Sequence, residues 1–550
     1  MKEDIALSQQ ANLLAMAPPG CGKTELLARR AEHLVGSLQP HQRILALTFS
    51  NRATQNLRQR LLESLGPQRF RRQLKVTNFH GHAAEIIRAH GRSIGLDPNL
   101  PMPERSTLSA AIAVYTEGLG FDASANRRSG IEIALSEAKR NAVDDDEVAA
   151  ILATTGNSFA QEIEAERRAN GLLHYDDLLR HAHRILKVDA VAHLYQMHYG
   201  AVLVDEFQDL SLQQLEIALA SCANNRTFVG DPLQGIYSWA GARPAEVAER
   251  LELICGPPRR LTTSYRSSPA VLRLINKVSA ALGGEPLTAA HPEAWLEGGA
   301  AVSAVFPSGQ EEGQWIVDTA TTILAGNPSA TIGVITRAGW RREPIDAAFA
   351  GVSVPPSQRW DLAIQDSDIV QRLIAAVRRL PRKADMSAVQ QAVLADIGPN
   401  DVETLEHLNE ALVDFEQLVR KAGTPLAAIN QLRVPGEDAA VEPGVHLLNA
   451  HTGKGQQFDW VFAPGLEGFH IPSPRATTLE QMKEELRVFL VLLSRARHGI
   501  VITRAESLVS KRTGRPWSPS PSSWWNDAAE VCPMGPTDLA EHLSRTMSHA

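Results

Sequence analysis

Short apolar runs alternate with helical patterns along the first part of the chain. The clearest runs are residues 12–16, 43–49 and 201–204, and a weaker one lies at 227–229. Each run is followed by a turn or by a helical pattern, which is typical of strands buried on both faces of a parallel sheet. The pattern therefore predicts an α/β fold that begins close to the start of the sequence.

The alternation returns in the second half of the chain. A second region begins near Tyr265, includes the run 331–335, and resumes at 445–448 and 460–462. Two other stretches lack strand-like runs and carry helical patterns. The sequence thus predicts two α/β cores with parallel sheets, each carrying a helical insertion. The predicted division is a first core at 1–84 and 196–260, its insertion at 85–195, a second core at 261–384 and 441–530, a reduced insertion at 385–440, and a C-terminal tail at 531–550.

Composition narrows the functional classes. The 550 residues are 44% hydrophobic and 21% charged, which are ordinary values for a globular protein. The net charge of -7 argues against a histone-like positive surface but is compatible with a locally basic groove. The four cysteines form no C-x-x-C pair, which argues against structural zinc. The sequence shows neither a basic leader nor a run of about 18 apolar residues, so we expect a cytoplasmic enzyme with no membrane partner.

A glycine-rich loop follows the first predicted strand and leads into a helical pattern. Backbone N–H groups of such a loop, together with the helix N-terminus, cradle the β- and γ-phosphates of a nucleotide. Lys23 would neutralise phosphate charge, and the Thr24 hydroxyl would bind Mg²⁺. The alternative is a turn that only joins a strand to a helix, but the flanking elements favour phosphate binding. The loop comprises Ala17, Pro18, Pro19, Gly20, Cys21, Gly22, Lys23 and Thr24.

Acidic residues follow the apolar run at 201–204. Asp205 can hold Mg²⁺, and Glu206 can orient or deprotonate an attacking water. Carboxylates after a strand are also common in solvated turns. Because Lys23 belongs to the same predicted sheet, we interpret the pair as the second half of a nucleoside triphosphatase site.

Further motifs connect the chain to a known family. Residues 205–209 read DEFQD and resemble the box of that sequence in UvrD/Rep-type superfamily 1 DNA helicases. The other boxes of this family are matched in the family's order, by residues 47–53, 79–81, 174–179, 229–239, 265–268, 451–458 and 484–496. The resemblance covers nearly the whole chain.

The resemblance implies two RecA-like P-loop NTPase cores with ATP and Mg²⁺ between them and single-stranded or partly duplex DNA across the top. Gln234 would sense the γ-phosphate, while Arg266 and Arg495 would act as arginine fingers from the second core. Tyr265 would stack on adenine, and Gln457 stands where the family has a glutamate that contacts ribose. The implied catalytic set is Lys23, Asp205, Glu206, Gln234, Arg266 and Arg495, with Thr24 and Asp205 as metal ligands.

Aromatic residues in these boxes are candidates for stacking on DNA bases. Aromatic rings can stack on every base, as a translocating motor requires. For each residue, the alternative is burial in the core. The candidates are Phe49, Phe79, Tyr237 and Trp239.

The sequence departs from the family pattern beside the nucleotide site. A glutamine-containing segment that recognises adenine usually lies well upstream of the phosphate loop, and Gln9 and Gln10 are too close to the loop to serve. Glu25 stands where an arginine often follows the loop, and Ala240 replaces another usual arginine. These departures weaken the expectation of strict ATP specificity and of the usual coupling between ATP and DNA.

Two functions are compatible with these motifs. The first is an ATP-dependent 3′-to-5′ DNA helicase or translocase, a direction that only the resemblance implies. The second is a helicase-like ATPase that senses DNA or nucleotide and licenses a separate nuclease subunit, as in two-gene antiphage systems of the Gabija type. The reduced second insertion favours this alternative. A degenerate helicase scaffold is disfavoured because the catalytic boxes are intact.

Overall fold

The computed structural model describes most of both cores and parts of both insertions. The described residues are 2–49, 51–100, 108, 111–112, 114–115, 121–236, 241–352, 355–360, 367–381, 384–394, 412, 415–416, 418–420, 422–429, 432, 441–451, 453–510 and 514–547.

The first core contains a six-stranded parallel sheet with the strand order β3-β2-β4-β5-β1-β6. The strands are β1 (Asn12–Met16), β2 (Arg43–Thr48), β3 (Leu74–Asn78), β4 (Tyr199–Asp205), β5 (Arg226–Gly230) and β6 (Arg259–Arg260). The four apolar runs of the first part of the sequence coincide with β1, β2, β4 and β5, so the predicted α/β class is confirmed.

Alternate residues of a strand point to opposite faces of the sheet. Both faces of this sheet carry apolar residues, and helices cover both of them. Leu13 and Ala15 of β1 join one apolar cluster, whereas Leu14 and Met16 join another on the opposite face. The helices from the start of the chain to residue 255 are α1 (Lys2–Ala6), α2 (Lys23–Val35), α3 (Asn51–Gln73), α4 (Phe79–His90), α5 (Phe121–Lys139), α6 (Asp145–Thr155), α7 (Ser158–Ala169), α8 (Tyr175–Leu186), α9 (Asp189–His198), α10 (Leu212–Ser221) and α11 (Pro244–Cys255).

The first helical insertion is smaller than its predicted range of 85–195. Helices α5, α6 and α7 share an apolar cluster of their own. In contrast, Leu178 and Ile185 of α8 and Val191 of α9 pack in the apolar cluster of the first core. Packing therefore ends the insertion near residue 169, and α8 and α9 belong to the first core.

A buried charge network joins this insertion to the first core. Lys139 Nζ lies 2.8 Å from a carboxylate oxygen of Glu164 and 2.9 Å from one of Asp177. Arg167 contacts Glu164 at 2.6 Å, and Arg180 contacts Asp177 at 2.8 Å. The three cations strongly lower the pKa of Asp177, although its burial acts in the opposite direction. We call these five residues the insertion network.

The second core repeats the architecture with another six-stranded parallel sheet, in the order β11-β12-β10-β13-β14-β9. Two short strands, β7 (Thr263–Ser264) and β8 (Thr288–Ala289), precede it. The sheet strands are β9 (Ala300–Phe306), β10 (Thr331–Thr336), β11 (Ser357–Arg359), β12 (Gly444–Asn449), β13 (Phe458–Pro464) and β14 (Ala496–Ala505), and a hairpin of β15 (Leu508–Val509) and β16 (Pro516–Trp517) follows. The remaining helices are α12 (Pro269–Ala280), α13 (Gly309–Gly326), α14 (Gly339–Ala350), α15 (Ser367–Arg379), α16 (Met386–Leu394), α17 (Pro425–Ile429), α18 (Leu479–Leu493), α19 (Trp525–Glu530) and α20 (Pro536–Met547).

The second insertion and the C-terminal segment also differ from their predicted limits. Val370 and Leu373 of α15 pack with α16 and α17 in one cluster, so the insertion begins near 367 rather than 385. Leu539 and Leu543 of α20 pack in the apolar cluster of the second core. The segment predicted as a tail from 531 is therefore part of that core.

Within the described residues, the structure contains no helix with both the length and the apolar character that a membrane span needs.

Candidate nucleotide site

The phosphate loop lies where β1 ends and α2 begins. Gly22 is the N-cap of α2 and offers no side chain, so the first N–H groups of the helix are available to an anion. Gly20 has a φ of +79°. A Cβ atom there would lie 2.6 Å from the Ser264 Oγ and 2.7 Å from the Arg266 Cβ, so this position requires glycine. The loop is thus pressed against the 264–266 segment.

The acidic pair at the end of β4 faces the loop. Lys23 Nζ lies 3.1 Å from a carboxylate oxygen of Glu206. Glu206 adopts a left-handed conformation with a φ of 56°, which is rare for a residue with a side chain and is typical of functional sites. Gln208 Nε2 donates to the same carboxylate at 2.6 Å, which fixes its orientation.

The protonation states of this pair differ. Burial and the neighbouring Glu206 charge raise the pKa of Asp205 to about 7. Burial alone would raise the pKa of Glu206, but Lys23 and Lys454 outweigh it and lower that pKa. Among the residues that the structure describes, no group donates a hydrogen bond to Oδ1, a buried oxygen of Asp205. A buried carboxylate with an open oxygen beside a phosphate loop fits a Mg²⁺ ligand, because Mg²⁺ prefers oxygen and is bound by few protein groups plus phosphates.

A further group of polar residues continues from β5 toward the second core. Gln234 Nε2 donates to Asp231 Oδ2 at 3.0 Å, and the Asp231 N–H donates to Gln208 at 2.8 Å. Lys454 of the second core donates to Asp209 at 2.6 and 2.8 Å and to the Gln234 carbonyl oxygen at 2.9 Å. Burial raises the pKa of Asp209 to about 6 against the effect of Lys454. Lys454 therefore links the two cores at the predicted γ-phosphate sensor.

The two predicted arginine fingers are placed differently. Arg266 lies beside the phosphate loop, since a Cβ on Gly20 would come within 2.7 Å of its Cβ, and its Nη1 donates to the Ser494 carbonyl oxygen of the second core at 3.3 Å. Burial lowers the pKa of Arg266 to about 10, and the Glu206 charge opposes this shift. Its neighbour Ser268 donates from its backbone N–H to the Arg497 carbonyl at 2.8 Å, which docks this segment on β14 of the second core. Arg495 is buried and donates to Val491 O at 2.8 Å and to Ser494 Oγ at 2.7 Å, both on its own core.

The residues predicted for base and ribose lie at the outer edge of the site. The Tyr265 N–H donates to Gly20 O at 2.8 Å, and 57% of the residue is exposed. Gln457 is exposed and lies beside the β13 strand of the second core. The structure brings Tyr265 to the phosphate loop, and the nucleotide contacts of both residues stay predictions.

The structure changes the set of DNA-contact candidates. Phe79 is 0% exposed and packs in the core, so the prediction that its ring stacks on a base is wrong and the alternative of a core aromatic holds. Phe49 is only partly buried and directly follows β2. Tyr237 and Trp239 lie outside the described residues.

Sequence reasoning assigned no role to Lys454, Asp209 or Asp231, although each lies in a quoted motif. Asp209 and Asp231 follow adjacent strands, β4 and β5, and the carboxyl ends of parallel strands share one edge of the sheet. That topology could have identified both carboxylates. The contact of Lys454 depends on how the second core docks, which no local pattern reveals.

Comparison with known proteins identifies the family. Residues 2–251 match the UvrD/REP helicase N-terminal domain, and residues 400–507 match the UvrD-like helicase C-terminal domain. The chain belongs to the UvrD/Rep-type superfamily 1 helicases. This family assignment and the two parallel sheets together support two RecA-like cores.

Over nearly its whole length, the chain aligns with two known helicases. It is 27% identical to the ATP-dependent DNA helicase UvrD2 of Mycobacterium tuberculosis strain H37Rv, over 96% of this chain and 81% of the relative. It is 22% identical to the ATP-dependent DNA helicase PcrA of Staphylococcus aureus strain NCTC 8325, over 96% of this chain and 86% of the relative. The helicase resemblance drawn from the motifs is confirmed.

Proposed function

We propose that this chain is an ATP-dependent 3′-to-5′ DNA helicase or translocase that couples ATP hydrolysis to movement on single-stranded DNA. One observation carries the proposal. The Lys23 ammonium lies 3.1 Å from the Glu206 carboxylate, and Asp205 holds an open buried oxygen in the same cleft. Arg266 enters this cleft on a segment docked to the second core.

Each residue would then have a chemical role. Lys23 and Arg266 would neutralise charge on the transferring phosphoryl group, and Glu206 would orient the attacking water. Thr24 and Asp205 would hold Mg²⁺, which would supply positive charge to neutralise the charge that develops on the phosphates. Arg495 would have to exchange its bonds to Val491 and Ser494 for phosphate oxygens when the cores close.

The contact between the cores supports coupling to DNA. Lys454 binds the carbonyl of Gln234, and the chain continues from Gln234 toward the predicted base-stacking residue Trp239. A movement of the cores that shifts Lys454 would therefore reach both the γ-phosphate sensor and the DNA segment.

The second core offers a further surface for single-stranded DNA. A cavity of about 570 Å³ is lined by Trp340, Phe469 and Arg337 among others. Trp340 is 47% exposed and Phe469 is 56% exposed. Exposed rings suit stacked bases, whereas Arg337 is paired with Glu485 through two hydrogen bonds of 2.6 Å.

The test combines ATP hydrolysis with strand separation. Single-stranded DNA should accelerate hydrolysis, and the enzyme should unwind duplexes with a 3′ single-stranded tail but not those with a 5′ tail. Trp239→Ala should reduce DNA affinity by roughly 1–3 kcal/mol and leave the DNA-independent rate unchanged. Unwinding from the 5′ tail alone would refute the direction.

Failure of DNA to bind or accelerate hydrolysis at low salt would refute the motor function. The alternative of an ATPase that licenses a nuclease subunit, which stays a prediction, would then be tested with a candidate nuclease added.

A further inference from the structure

The nucleotide site contains a lysine for which the motifs provide no role. Lys2 lies on α1, and its Nζ lies 4.0 Å from the centroid of the Tyr265 ring. A Cβ atom on Gly22 would lie 2.7 Å from the same Nζ, so the ammonium is also beside the phosphate loop. The Lys2 ammonium thus stands between this loop and the ring expected to receive the base.

Helix α1 is fixed to the first core despite its short length. Ile5 and Ala6 are buried in the apolar cluster that also contains α2. Arg30 of α2 is itself buried and donates to the carbonyl oxygens of Ala6 and Gln10, each at 3.1 Å. These contacts fix the end of α1 and the segment that follows it, and Lys2 lies one helical turn before Ala6, over the site.

The surroundings of Lys2 favour an interaction with an aromatic ring. Glu25, the residue after Thr24, accepts from Arg29 at 2.7 Å and also pairs with Arg60, so its charge is already compensated. Burial lowers the pKa of Lys2, and Glu25 opposes this shift. A partly desolvated ammonium attracts a π face more strongly than a hydrated one.

We propose that Lys2 recognises the base of the bound nucleotide. This inference rests on the proposed function, because it assumes that Tyr265 receives the base of ATP. Stacked rings have centroids about 4.5–7 Å apart, so a base on the exposed face of Tyr265 must take the space that the ammonium holds. The flexible Lys2 side chain then moves to the outer face or the edge of the base.

In that position the ammonium makes a cation–π contact with the base or donates to a ring nitrogen. An ammonium carries three donors and no acceptor, so it favours a base edge that presents acceptors. The triphosphate is already faced by Lys23 and by Arg266. Lys2 would therefore contact the base side of the nucleotide rather than its phosphates.

Equilibrium binding separates contact with the base from contact with phosphate. Kd values would be measured with Mg²⁺ for ATP and for inorganic tripolyphosphate, which has no base. The variants are Lys2→Met, which keeps the apolar stem, Lys2→Arg, which keeps the charge, and Lys187→Met as a control at an exposed lysine outside the site. Thermal unfolding of each variant checks that the fold is intact.

Lys2→Met should raise the Kd for ATP by about 3- to 10-fold and leave the Kd for tripolyphosphate unchanged. Lys2→Arg should restore most of the ATP affinity, and Lys187→Met should bind like the unaltered chain. Combining Lys2→Met with Tyr265→Ala should weaken ATP binding by less than the product of the two single effects, since both contact one base.

Two outcomes would overturn the inference while leaving the proposed function standing. One is an unchanged Kd for ATP in Lys2→Met, and the other is an equal loss of ATP and tripolyphosphate affinity, which would assign Lys2 to the phosphates. If the unaltered chain binds no ATP, the proposed function fails and the inference fails with it.

Discussion

The insertion network and the nucleotide cleft are both clusters of buried charge, yet their charges are balanced differently. In the insertion network, Lys139, Arg167 and Arg180 face Glu164 and Asp177, and Asp145 adds a third carboxylate at 2.6 Å from Arg180. Every carboxylate there has a cation within ion-pair distance. The consequence is a lowered pKa for Asp177 despite its complete burial.

Among the described residues, the phosphate side of the nucleotide cleft has more carboxylates than cations. Asp205, Glu206, Asp209 and Asp231 face Lys23, Arg266 and Lys454 there, while Lys2 lies apart beside the Tyr265 ring. Burial raises the pKa of Asp205 to about 7 and of Asp209 to about 6. A balanced cluster stabilises a joint between elements, whereas an acid-rich cluster is completed by a further positive charge such as Mg²⁺.

The largest expected effect comes from removing the cation of the cleft that faces phosphate. Lys23→Ala should reduce the rate of ATP hydrolysis by at least ~10³-fold, because it deletes a charge that stabilises the transferring phosphoryl group. Glu206→Gln should still bind ATP and hydrolyse it very slowly. Steady-state hydrolysis and ATP binding are the measurements, and a Lys23→Ala variant with near-normal turnover would contradict the site.

Breaking the insertion network should affect stability rather than chemistry. Asp177→Asn leaves Lys139 and Arg180 without their shared carboxylate and should lower the free energy of unfolding by about 3–4 kcal/mol. The folded fraction should hydrolyse ATP at the normal rate. Denaturant unfolding with activity measured per folded molecule tests this, and a loss of turnover without a loss of stability would show that the two clusters are not distinct.

The two arginines provide a finer test of the cleft. Arg266→Ala and Arg495→Ala should each lower turnover by roughly 10²-fold with little change in ATP affinity, because arginine fingers act on the transition state. Single-turnover hydrolysis and equilibrium binding separate these effects. If Arg495→Ala instead unfolds the protein, Arg495 has a structural role through its hydrogen bonds within the second core, including those to Val491 and Ser494.

The smallest effect is the pH dependence of the unfolding free energy, which Asp205 and Asp177 shift in opposite directions. Asp205 has a folded-state pKa raised to about 7, so its ionisation destabilises the metal-free fold as pH rises from about 4 to above 7. Asp205→Asn should therefore raise the metal-free unfolding free energy more at pH 8 than at pH 5. Asp177 has a lowered pKa, so its contribution is complete above pH 4 and disappears only at lower pH.

Thermal unfolding without Mg²⁺ at pH 5 and pH 8 measures the Asp205 effect, and Asp177→Asn is the control, because its loss of stability should be the same at both pH values. A pH-independent gain in Asp205→Asn would contradict the raised pKa of Asp205.

The strands and the phosphate loop could be predicted from sequence because their patterns are local. The runs at 12–16 and 331–335 coincide with buried strands, and the loop needs glycine at residue 20 for a steric reason that the motif carries. The insertion limits could not be predicted, since α8 has the same helical periodicity whether it packs on the insertion or on the core. Burial of Phe79 likewise depends on how α4 docks on the sheet.

The position of β1 between β5 and β6 in the first sheet has a consequence for protein synthesis. Asn12 pairs with Arg226 and Ala15 pairs with Arg259, so β1 has no lateral partner until those residues are made. At about 5–20 residues per second, the ribosome needs on the order of ten seconds or more to reach them. The strand that carries the phosphate loop is therefore translated before both of its partners and is among the last strands of the first core to be paired. Unfinished chains consequently lack an assembled ATP site.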